Sequence, residues 1–338
     1  MFMHSPLETF SYEPHVISST GFKSLRKDLK SLHQRQERLV QHRLWIEGRH
    51  TLECALEAGW QVETLLSRDD TSPSVHHDLQ MIFQKAQRLG YDLDGLANSW
   101  LACPPDALVS VCDAKSCPTL AAVVVPPVAT ETHEGLNPLT HGHPFMTPTA
   151  EAVSLLFQHV SGSLTQALPL SKVPLVLGLW GIQDPGNLGT LLRSAVAFGV
   201  QGVVLIGEGC VDPWGAKALR ASAGMGFKLP VFHGGDLTTN AEATLMYLAT
   251  QAELLGTCSV QDTTPYRMPK HACYTFDWVT RPHFLLLGCE GTGIPKGVDQ
   301  HIEHWVTIPT APQAESLNVA MAGSILMSTA YQQKIAQS

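Results

Sequence analysis

From residue 173 onward, short apolar runs alternate with segments whose apolar residues recur at helical spacing. The run from 173 to 180 is almost continuously apolar, which is typical of a parallel strand buried on both faces. Strands are predicted at 173–180, 202–206, 229–232, 254–258, 284–287 and 305–308, and helices at 187–198, after Asp212-Pro213 and at 317–335. Asn187 is the predicted cap of the first of these helices. This alternation predicts an α/β domain with a parallel sheet and crossover helices at 173–338.

Residues 16–126 predict a second, smaller α/β domain. The predicted helices are 22–40, 49–58 and 78–89, and the predicted strands are 44–46, 62–66, 108–111 and 120–125. Between the domains, residues 127–172 are interrupted by prolines and predict a linker with one helix at 149–160. His133, His141 and His143 cluster in this linker, but no acidic or cysteine partner stands at ligand spacing. We therefore predict no metal site.

Composition narrows the class of protein. The chain has 338 residues and a formal net charge of −8, which argues against a protein that coats nucleic acid nonspecifically. It has no run of about 18 apolar residues and no basic-then-apolar leader, so we predict a cytoplasmic protein outside membranes. The eight cysteines form no Cys-x-x-Cys pair. Structural thiols in a reducing compartment are the favoured interpretation over a metal or disulfide role.

Three motifs follow one another in the C-terminal half. They are Asn187-Leu188-Gly189-Thr190-Leu191-Leu192-Arg193, then Gly288-Cys289-Glu290-Gly291-Thr292-Gly293-Ile294-Pro295, then Ile308-Pro309 followed by Ser316-Leu317-Asn318-Val319. Each motif is weak alone. Their order and spacing together resemble the SpoU branch of the SPOUT methyltransferases. The resemblance implies transfer of a methyl group from S-adenosylmethionine to a ribose 2′-hydroxyl of ribosomal or transfer RNA.

The resemblance also implies where the cofactor contacts lie. The residues that match the family's cofactor loops are Leu287, Gly288, Ile308, Pro309, Ser316 and Leu317. They follow predicted parallel strands at their carboxyl ends, where ligands of open α/β sheets lie, and glycine there allows close backbone approach. Thr310 and Pro312 depart from the usual Met and Gly of the family. Proline cannot adopt positive φ or donate an N–H, so the motif match alone does not fix the path of this loop.

The matching catalytic residues are Asn187, Arg193, Glu290 and Asn318. A guanidinium stays protonated in proteins and is therefore a poor general base. We interpret Arg193 as a bidentate hydrogen-bond donor to a substrate phosphate, which positions the 2′-hydroxyl. Gly189 is expected to share its helix face and to leave a bare patch beside it. For Glu290 and the two asparagines, an alternative role in capping loops and helices stays open.

Other expectations follow from the resemblance. It implies a trefoil-knotted C-terminus, a homodimer and an N-terminal substrate-binding domain, which the Ile46-Glu47-Gly48 turn supports. Small residues at Ala320, Ser324 and Ser328 permit close helix approach, either across a dimer or within the chain. Residues 23–49, here named the basic segment, carry eight basic side chains against three acidic ones. By itself this pattern is typical of a solvated helix face. Beside an RNA-modifying domain, contact with RNA phosphates is the favoured interpretation.

Ribosomal RNA is favoured over transfer RNA as the substrate because of the N-terminal domain. The sequence does not identify the nucleotide. A noncatalytic RNA-binding protein on the same fold is the alternative, although the complete motif set argues against lost activity. A nucleotide-dependent oxidoreductase is disfavoured because no Gly-x-Gly-x-x-Gly follows the strand at 173.

Overall fold

The computed structural model describes residues 12–114, 117–127, 148–158, 173–259, 268–289 and 292–337. The histidine cluster at 133–143, most of the predicted linker and Glu290 therefore lie outside the described residues. Two compact units divide the chain, Met1–Val128 and Ala129–Ser338. The functional roles predicted for the two domains stay predictions.

Unit 1 is a mixed sheet with helices packed on it. Its strands are β1 His15–Val16, β2 Leu44–Glu47, β3 Gln61–Arg68, β4 Trp100–Cys103 and β5 Leu120–Val125. Its helices are α1 Ser19–Ser31, α2 Arg35–Gln41, α3 Arg49–Glu57, α4 Pro73–Arg88, α5 Leu93–Asn98 and α6 Pro105–Val109. The strand order is β1-β4-β3-β5-β2, parallel on the β1 side and antiparallel where β5 pairs with β3 and β2.

The single helix predicted at 22–40 is wrong, because the chain forms α1 and α2 with a turn between them. Gln34 has extended backbone angles at this break. The buried guanidinium of Arg38 donates from Nη1 to the carbonyl oxygens of Leu32 (2.8 Å) and His33 (2.9 Å). These carbonyls at the end of α1 lack helical partners, so Arg38 stabilises the break.

The strand predicted at 108–111 is also wrong, since Leu108 and Val109 end the helix α6. Pro105 stands in the first turn, where its missing N–H is no loss, and Asp106 adds a favourable charge there. These two local signals outweigh the β-branched residues that follow. The prediction also missed β4 and α5.

Glu47 ties strand β2 to the loop after α6. Its side chain is 4% exposed and accepts hydrogen bonds from Trp45 Nε1 (3.0 Å), Asp113 N (2.7 Å) and Ala114 N (3.2 Å). Gly48 follows with φ +85°, a conformation that favours glycine. The Ile46-Glu47-Gly48 turn is therefore explained by the folding of unit 1.

Unit 2 contains the parallel sheet predicted from the sequence. Its strands are β6 Leu175–Trp180, β7 Gly202–Ile206, β8 Val231–His233, β9 Glu253–Thr257, β10 Lys270–Ala272, β11 His283–Leu287 and β12 His304–Thr307. Its helices are α7 Ala150–Gln158, α8 Pro185–Ala197, α9 Ala216–Ala221, α10 Asp236–Thr239, α11 Ala241–Leu248 and α12 Val319–Ala336, with 3-10 turns at Met225–Lys228 and Asp299–His301. The order β10-β12-β9-β11-β6-β7-β8 is parallel at every pairing. The predicted α/β class is confirmed.

Two predicted helix starts in unit 2 are corrected. Asp184, not Asn187, caps α8, and its Oδ1 accepts from Asn187 N at 2.8 Å. Asp212 forms a turn by accepting from Trp214 N at 3.0 Å, and the next helix begins only at Ala216. Asp184 thus accepts from the third residue after it and caps a helix, whereas Asp212 accepts from the second residue after it and forms a turn. The prediction also missed β10 and the pair α10 and α11.

The small residues of α12 pack within the chain. A Cβ on Gly323 would lie 2.4 Å from Leu191 Cδ2 and 2.7 Å from Leu287 Cδ1. Ser324 Oγ lies 2.7 Å from Ser194 Oγ on α8, and Ala320 is 3% exposed. Of the two roles left open for this strip, Ala320 and Ser324 therefore serve the packing of α12 against α8 and the sheet.

Candidate active site

A cavity of about 960 Å³ opens at the carboxyl ends of β9, β11 and β12. Five of the six predicted cofactor residues line it, together with one predicted catalytic residue, and they are Leu287, Gly288, Ile308, Ser316, Leu317 and Asn318. Pro309 does not belong to the lining. Carboxyl ends of parallel strands share one edge of a sheet, so the second and third motifs meet here. Cofactor contact by these residues stays a prediction.

The end of β9 contributes residues that the sequence prediction missed. Thr257, Cys258 and Ser259 line the same cavity. Thr257 Oγ1 donates to Leu286 O at 3.2 Å, and Ser259 Oγ donates to Glu315 O at 3.1 Å, which ties β9 to the loop of the third motif. The sequence does predict a strand at 254–258, and the structure places this strand between β11 and β12. No motif marked its end.

Gly288 is required by the fold of the loop itself. A Cβ there would lie 2.3 Å from the carbonyl carbon of Gly293 and 2.5 Å from Ile294 N. The loop closes through two backbone hydrogen bonds, Cys289 N to Gly293 O at 3.2 Å and Gly293 N to Cys289 O at 3.0 Å. The glycine thus lets two backbone segments approach each other, which differs from the predicted role of making room for the cofactor.

Asn318 joins the third motif to the first. Its Oδ1 caps α12 by accepting from Ala320 N (2.9 Å) and Met321 N (3.3 Å). Its Nδ2 donates to Asn187 Oδ1 at 3.0 Å, across a sequence separation of 131 residues. One asparagine thus fixes the start of α12 and holds the first turn of α8 beside the cavity.

The expected bare patch at Gly189 is absent, since this residue is buried. A Cβ on Gly189 would lie 2.4 Å from Ala221 Cβ and 2.7 Å from Ser222 N. The glycine allows α9 to pack against α8. The prediction failed because helical spacing places residues on one face without saying which neighbour covers it.

Arg193 is exposed on α8. It does not belong to the lining of the cavity in its own chain, whereas Asn318 does. The next residue, Ser194, contacts Ser324 of α12. Arg193 therefore lies on the solvent side of a helix whose other face is fixed against α12.

Pro312 fits the loop that leads from Ile308 to Asn318. Ala314 N donates to Ala311 O at 2.9 Å, which closes a turn with Pro312 at its second position. Proline favours this position because its φ is preset. Thr310, the other departure from the family pattern, lines the cavity. The loop path is thus compatible with both residues.

Arg43 and Arg49 of the basic segment form ion pairs inside unit 1. Arg43 lies 2.8 Å from Asp28 and 2.6 Å from Glu63. Arg49 Nη1 lies 2.7 Å from Glu53 Oε1, and its Nε lies 2.8 Å from Asp78 Oδ1. Arg38 caps α1. The exposed basic residues of the segment are Lys23, Arg26, Lys27, Lys30 and Arg35.

The cysteines form no disulfide, and the described ranges include all eight. Burial raises the pKa of the Cys210 thiol, which donates toward Leu179 O (3.6 Å) and Ile206 O (3.4 Å). Among the described residues, no group of three or more His, Cys, Asp or Glu side chains could hold a metal ion. In the same ranges, no helix has the length and apolar character needed to cross a membrane.

Comparison with known families accounts for both units. Residues 174–328 match the SpoU rRNA Methylase family, and residues 25–91 match the MRM3-like substrate binding domain. The chain therefore contains a SpoU methylase domain and, before it, an MRM3-like substrate binding domain. The three motifs and the cavity all lie within the residues that match the SpoU methylase domain.

Several curated proteins align with this chain. An uncharacterized tRNA/rRNA methyltransferase of Synechocystis is 37% identical over 50% of this chain and 57% of its own. The 23S rRNA (guanosine(2553)-2′-O)-methyltransferase RlmP of Bacillus subtilis is 26% identical over 89% of this chain and 93% of its own. Mouse mitochondrial rRNA methyltransferase 3 is 31% identical over 46% of each chain. The chain thus spans about half the length of the first and third relatives and nearly all of the second.

Solved structures share the fold. An RNA 2′-O ribose methyltransferase has a TM-score of 0.64 at 23% identity, covering 95% of this chain and 99% of its own. The AdoMet-bound rRNA methyltransferase of Sinorhizobium meliloti has a TM-score of 0.63 at 21% identity, covering 94% and 98%. These neighbours have the same overall fold as this chain.

Proposed function

We propose that this protein transfers a methyl group from S-adenosylmethionine to a ribose 2′-hydroxyl of ribosomal RNA. The observation that carries the proposal is the hydrogen bond between Asn318 and Asn187 beside the cavity. This bond joins the first motif to the third, and residues of the third motif line the cavity together with residues of the second. Relatives named as rRNA 2′-O-methyltransferases support the same substrate.

The cavity fits S-adenosylmethionine in size and character. Its volume of about 960 Å³ lies within the range of about 300–1,000 Å³ that is usual for sites of small molecules and cofactors. Leu287, Ile308 and Leu317 offer apolar contact for a flat base. Ser259 and Ser316 add polar groups at the same wall.

When bound, the cofactor supplies an electrophilic methyl group on a positively charged sulfur. The residues of the chain then have two tasks, which are to orient the two reactants and to manage the hydroxyl proton. Asn187 and Asn318 fix the relative position of the first and third motifs. Arg193 would contact a substrate phosphate bidentately and hold the 2′-hydroxyl in place.

The test is methyl transfer from labelled S-adenosylmethionine to unmodified ribosomal or transfer RNA transcribed in vitro. We expect label in ribosomal RNA, recovered as a 2′-O-methylated nucleoside after digestion. Label found only in transfer RNA would show that transfer RNA is the substrate. Binding of RNA with no methyl transfer to either RNA would show that the protein is a noncatalytic RNA-binding protein. Arg193→Ala should lose about a hundredfold in rate, which is the loss expected when the reacting hydroxyl is no longer held in position.

We further propose a homodimer in which Arg193 serves the cavity of the neighbouring subunit. Arg193 does not line the cavity of its own subunit, which supports this arrangement. An exposed apolar face on α12 supports association, since Met321 is 59% exposed and Ile325 38% exposed beside Leu317 at 37%. A cytoplasmic location and the trefoil knot belong to the same proposal, on the family resemblance.

Mixed dimers test the shared site. Arg193→Ala and Asn318→Ala should each be nearly inactive alone. A heterodimer of the two variants has one site with both groups intact, so activity should return to at most half of the wild-type value. A verified heterodimer that stays inactive would reject a site shared between subunits.

A further inference from the structure

Helix α1 separates an apolar face from a basic face. Phe22 is 2% exposed, Leu29 0% and Leu32, just past the helix end, 1%. The exposed residues Lys23, Arg26, Lys27 and Lys30, here named the basic stripe, recur at the i, i+3, i+4 and i+7 positions of α1. Residues with this spacing share one helix face. The stripe is therefore a continuous row of cations on one side of unit 1.

The basic stripe is not neutralised by unit 1. Within the described part of the chain, none of its four side chains forms an ion pair or a side-chain hydrogen bond. Asp28, the acidic residue of α1, is held by Arg43 at 2.8 Å. Arg38, Arg43 and Arg49 already have protein partners. The stripe thus keeps its charge for a partner outside the unit.

The charge density of the stripe suits a nucleic acid backbone. Four positive charges over seven helical steps of about 1.5 Å give roughly one charge per 3 Å, close to the phosphate spacing of about 3.4 Å per strand along a duplex axis. The chain as a whole carries a net charge of −8, so the stripe is a local feature. A polyanion would be attracted to it selectively.

The buried apolar face excludes a membrane-surface role for this helix. An interfacial helix inserts its apolar face among lipids. In α1 that face is buried against unit 1, with Phe22 and Leu29 almost fully covered. Only the charged face remains available.

We propose that the basic stripe of α1 is the surface through which unit 1 contacts RNA phosphates. This proposal rests on the proposed function, in which RNA is the substrate. It names the residues through which unit 1 contacts that RNA. The contact is independent of sequence, since phosphates carry no base information. It supplies affinity, while the choice of the methylated nucleotide belongs to other contacts.

The test is the salt dependence of RNA binding in the full chain. The probe is a fluorescein-labelled RNA hairpin, measured by anisotropy over a salt series with wild type and the variant K23Q/R26Q/K27Q/K30Q. Each lost phosphate contact lowers the slope of log affinity against log salt by about 0.7–0.9, so the variant should lose about 3 from the slope. We also expect an affinity loss of about tenfold or more at low salt. Glutamine keeps the helix propensity of lysine and arginine.

Arg88→Gln provides the matched control. Arg88 is exposed at the end of α4 in the same unit and lies outside the stripe. Lys27→Gln should lower the slope by about 0.8, and Arg88→Gln should leave it unchanged. Equal losses in the two single variants, or an unchanged slope in the fourfold variant, would overturn the proposal.

Two further measurements, cofactor binding and methylation activity, distinguish failure of this proposal from failure of the proposed function. Calorimetric binding of S-adenosylmethionine should be unchanged in the fourfold variant, which also verifies that unit 2 is folded. If wild type methylates no RNA but hairpin binding depends on the stripe, the stripe stands and the activity fails. If wild type methylates RNA and the fourfold variant does so with unchanged KM and salt slope, the stripe alone is rejected.

Discussion

The two units use their polar residues in different ways. In unit 1, charged side chains such as Glu47, Arg38 and Arg43 make direct contacts that hold the fold, and the basic stripe is left over. In unit 2, the loops around the cavity are held by backbone hydrogen bonds, glycine contacts and the amide of Asn318. A changed side chain in unit 1 therefore removes a contact, whereas a changed loop residue in unit 2 displaces backbone. The following variants test that difference.

Glu47→Ala should have the largest effect on stability. It removes a buried acceptor of three hydrogen bonds and leaves the Asp113 and Ala114 N–H groups without it. We expect a loss of about 4 kcal/mol in the unfolding free energy of unit 1, measured by urea denaturation. Glu47→Gln keeps one acceptor oxygen and should lose about half as much. Unchanged stability of Glu47→Ala would contradict the anchoring role.

Gly288→Ala should strongly weaken cofactor binding in the cavity and leave the stability of unit 1 unchanged. The added Cβ collides with the backbone of Gly293 and Ile294 and must shift the loop, at about 3 kcal/mol, or about a hundredfold in affinity for S-adenosylmethionine.

Gly293→Ala is the matched control for Gly288→Ala. Gly293 has φ +67°, and no atom lies within 4 Å of an added Cβ. The substitution should therefore weaken cofactor binding by only about 1 kcal/mol, from backbone strain. Calorimetry measures both affinities. Equal losses would show that backbone collision does not distinguish them.

Stability should also fall in mild acid because of His283, which is 1% exposed at the start of β11. Burial lowers the pKa of His283 to about 4, while Glu253, at 3.4 Å, acts in the opposite direction and Lys334 adds to the lowering. Between pH 6.5 and 4 the unfolded chain binds a proton that the folded chain does not. The unfolding free energy should therefore decrease over this window as pH falls, by up to about 3 kcal/mol.

His283→Phe should flatten the acid dependence of stability, because a neutral ring can replace the contacts with Phe276 and Trp278. The exposed His50, changed to Gln, serves as the control and should leave the dependence unchanged. An acid dependence that persists in full in His283→Phe would assign the effect to other groups.

Arg38→Met should have a smaller effect on stability than Glu47→Ala, and it separates structural cations from RNA-contacting cations. Loss of the hydrogen bonds to Leu32 O and His33 O should lower the unfolding free energy by about 2 kcal/mol. The RNA salt slope should not change, because the guanidinium is only 3% exposed. A slope reduced as much as in Lys27→Gln would place Arg38 among the phosphate contacts.

The structure brings some of the predicted site residues together at one cavity and not others, for physical reasons that differ between residues. Gly288 and Leu317 were predicted from motifs and line the cavity, because short loops after strands place their residues at the sheet edge. Ser259 was missed because no motif marks its strand end. The interpretation of Gly189 was wrong because its neighbour, Ala221, lies 32 residues away on another helix.

The sequence alone determined the parallel α/β class of residues 173–338 and the order of the three motifs. These depend on local periodicity and on glycine and proline, whose backbone preferences act within a few residues. Only the tertiary structure decided which basic residues of 23–49 are exposed and that Asn187 meets Asn318. Both depend on partners that are distant in sequence, and local propensity contains no information about which distant groups will compete for a hydrogen bond or cover a face.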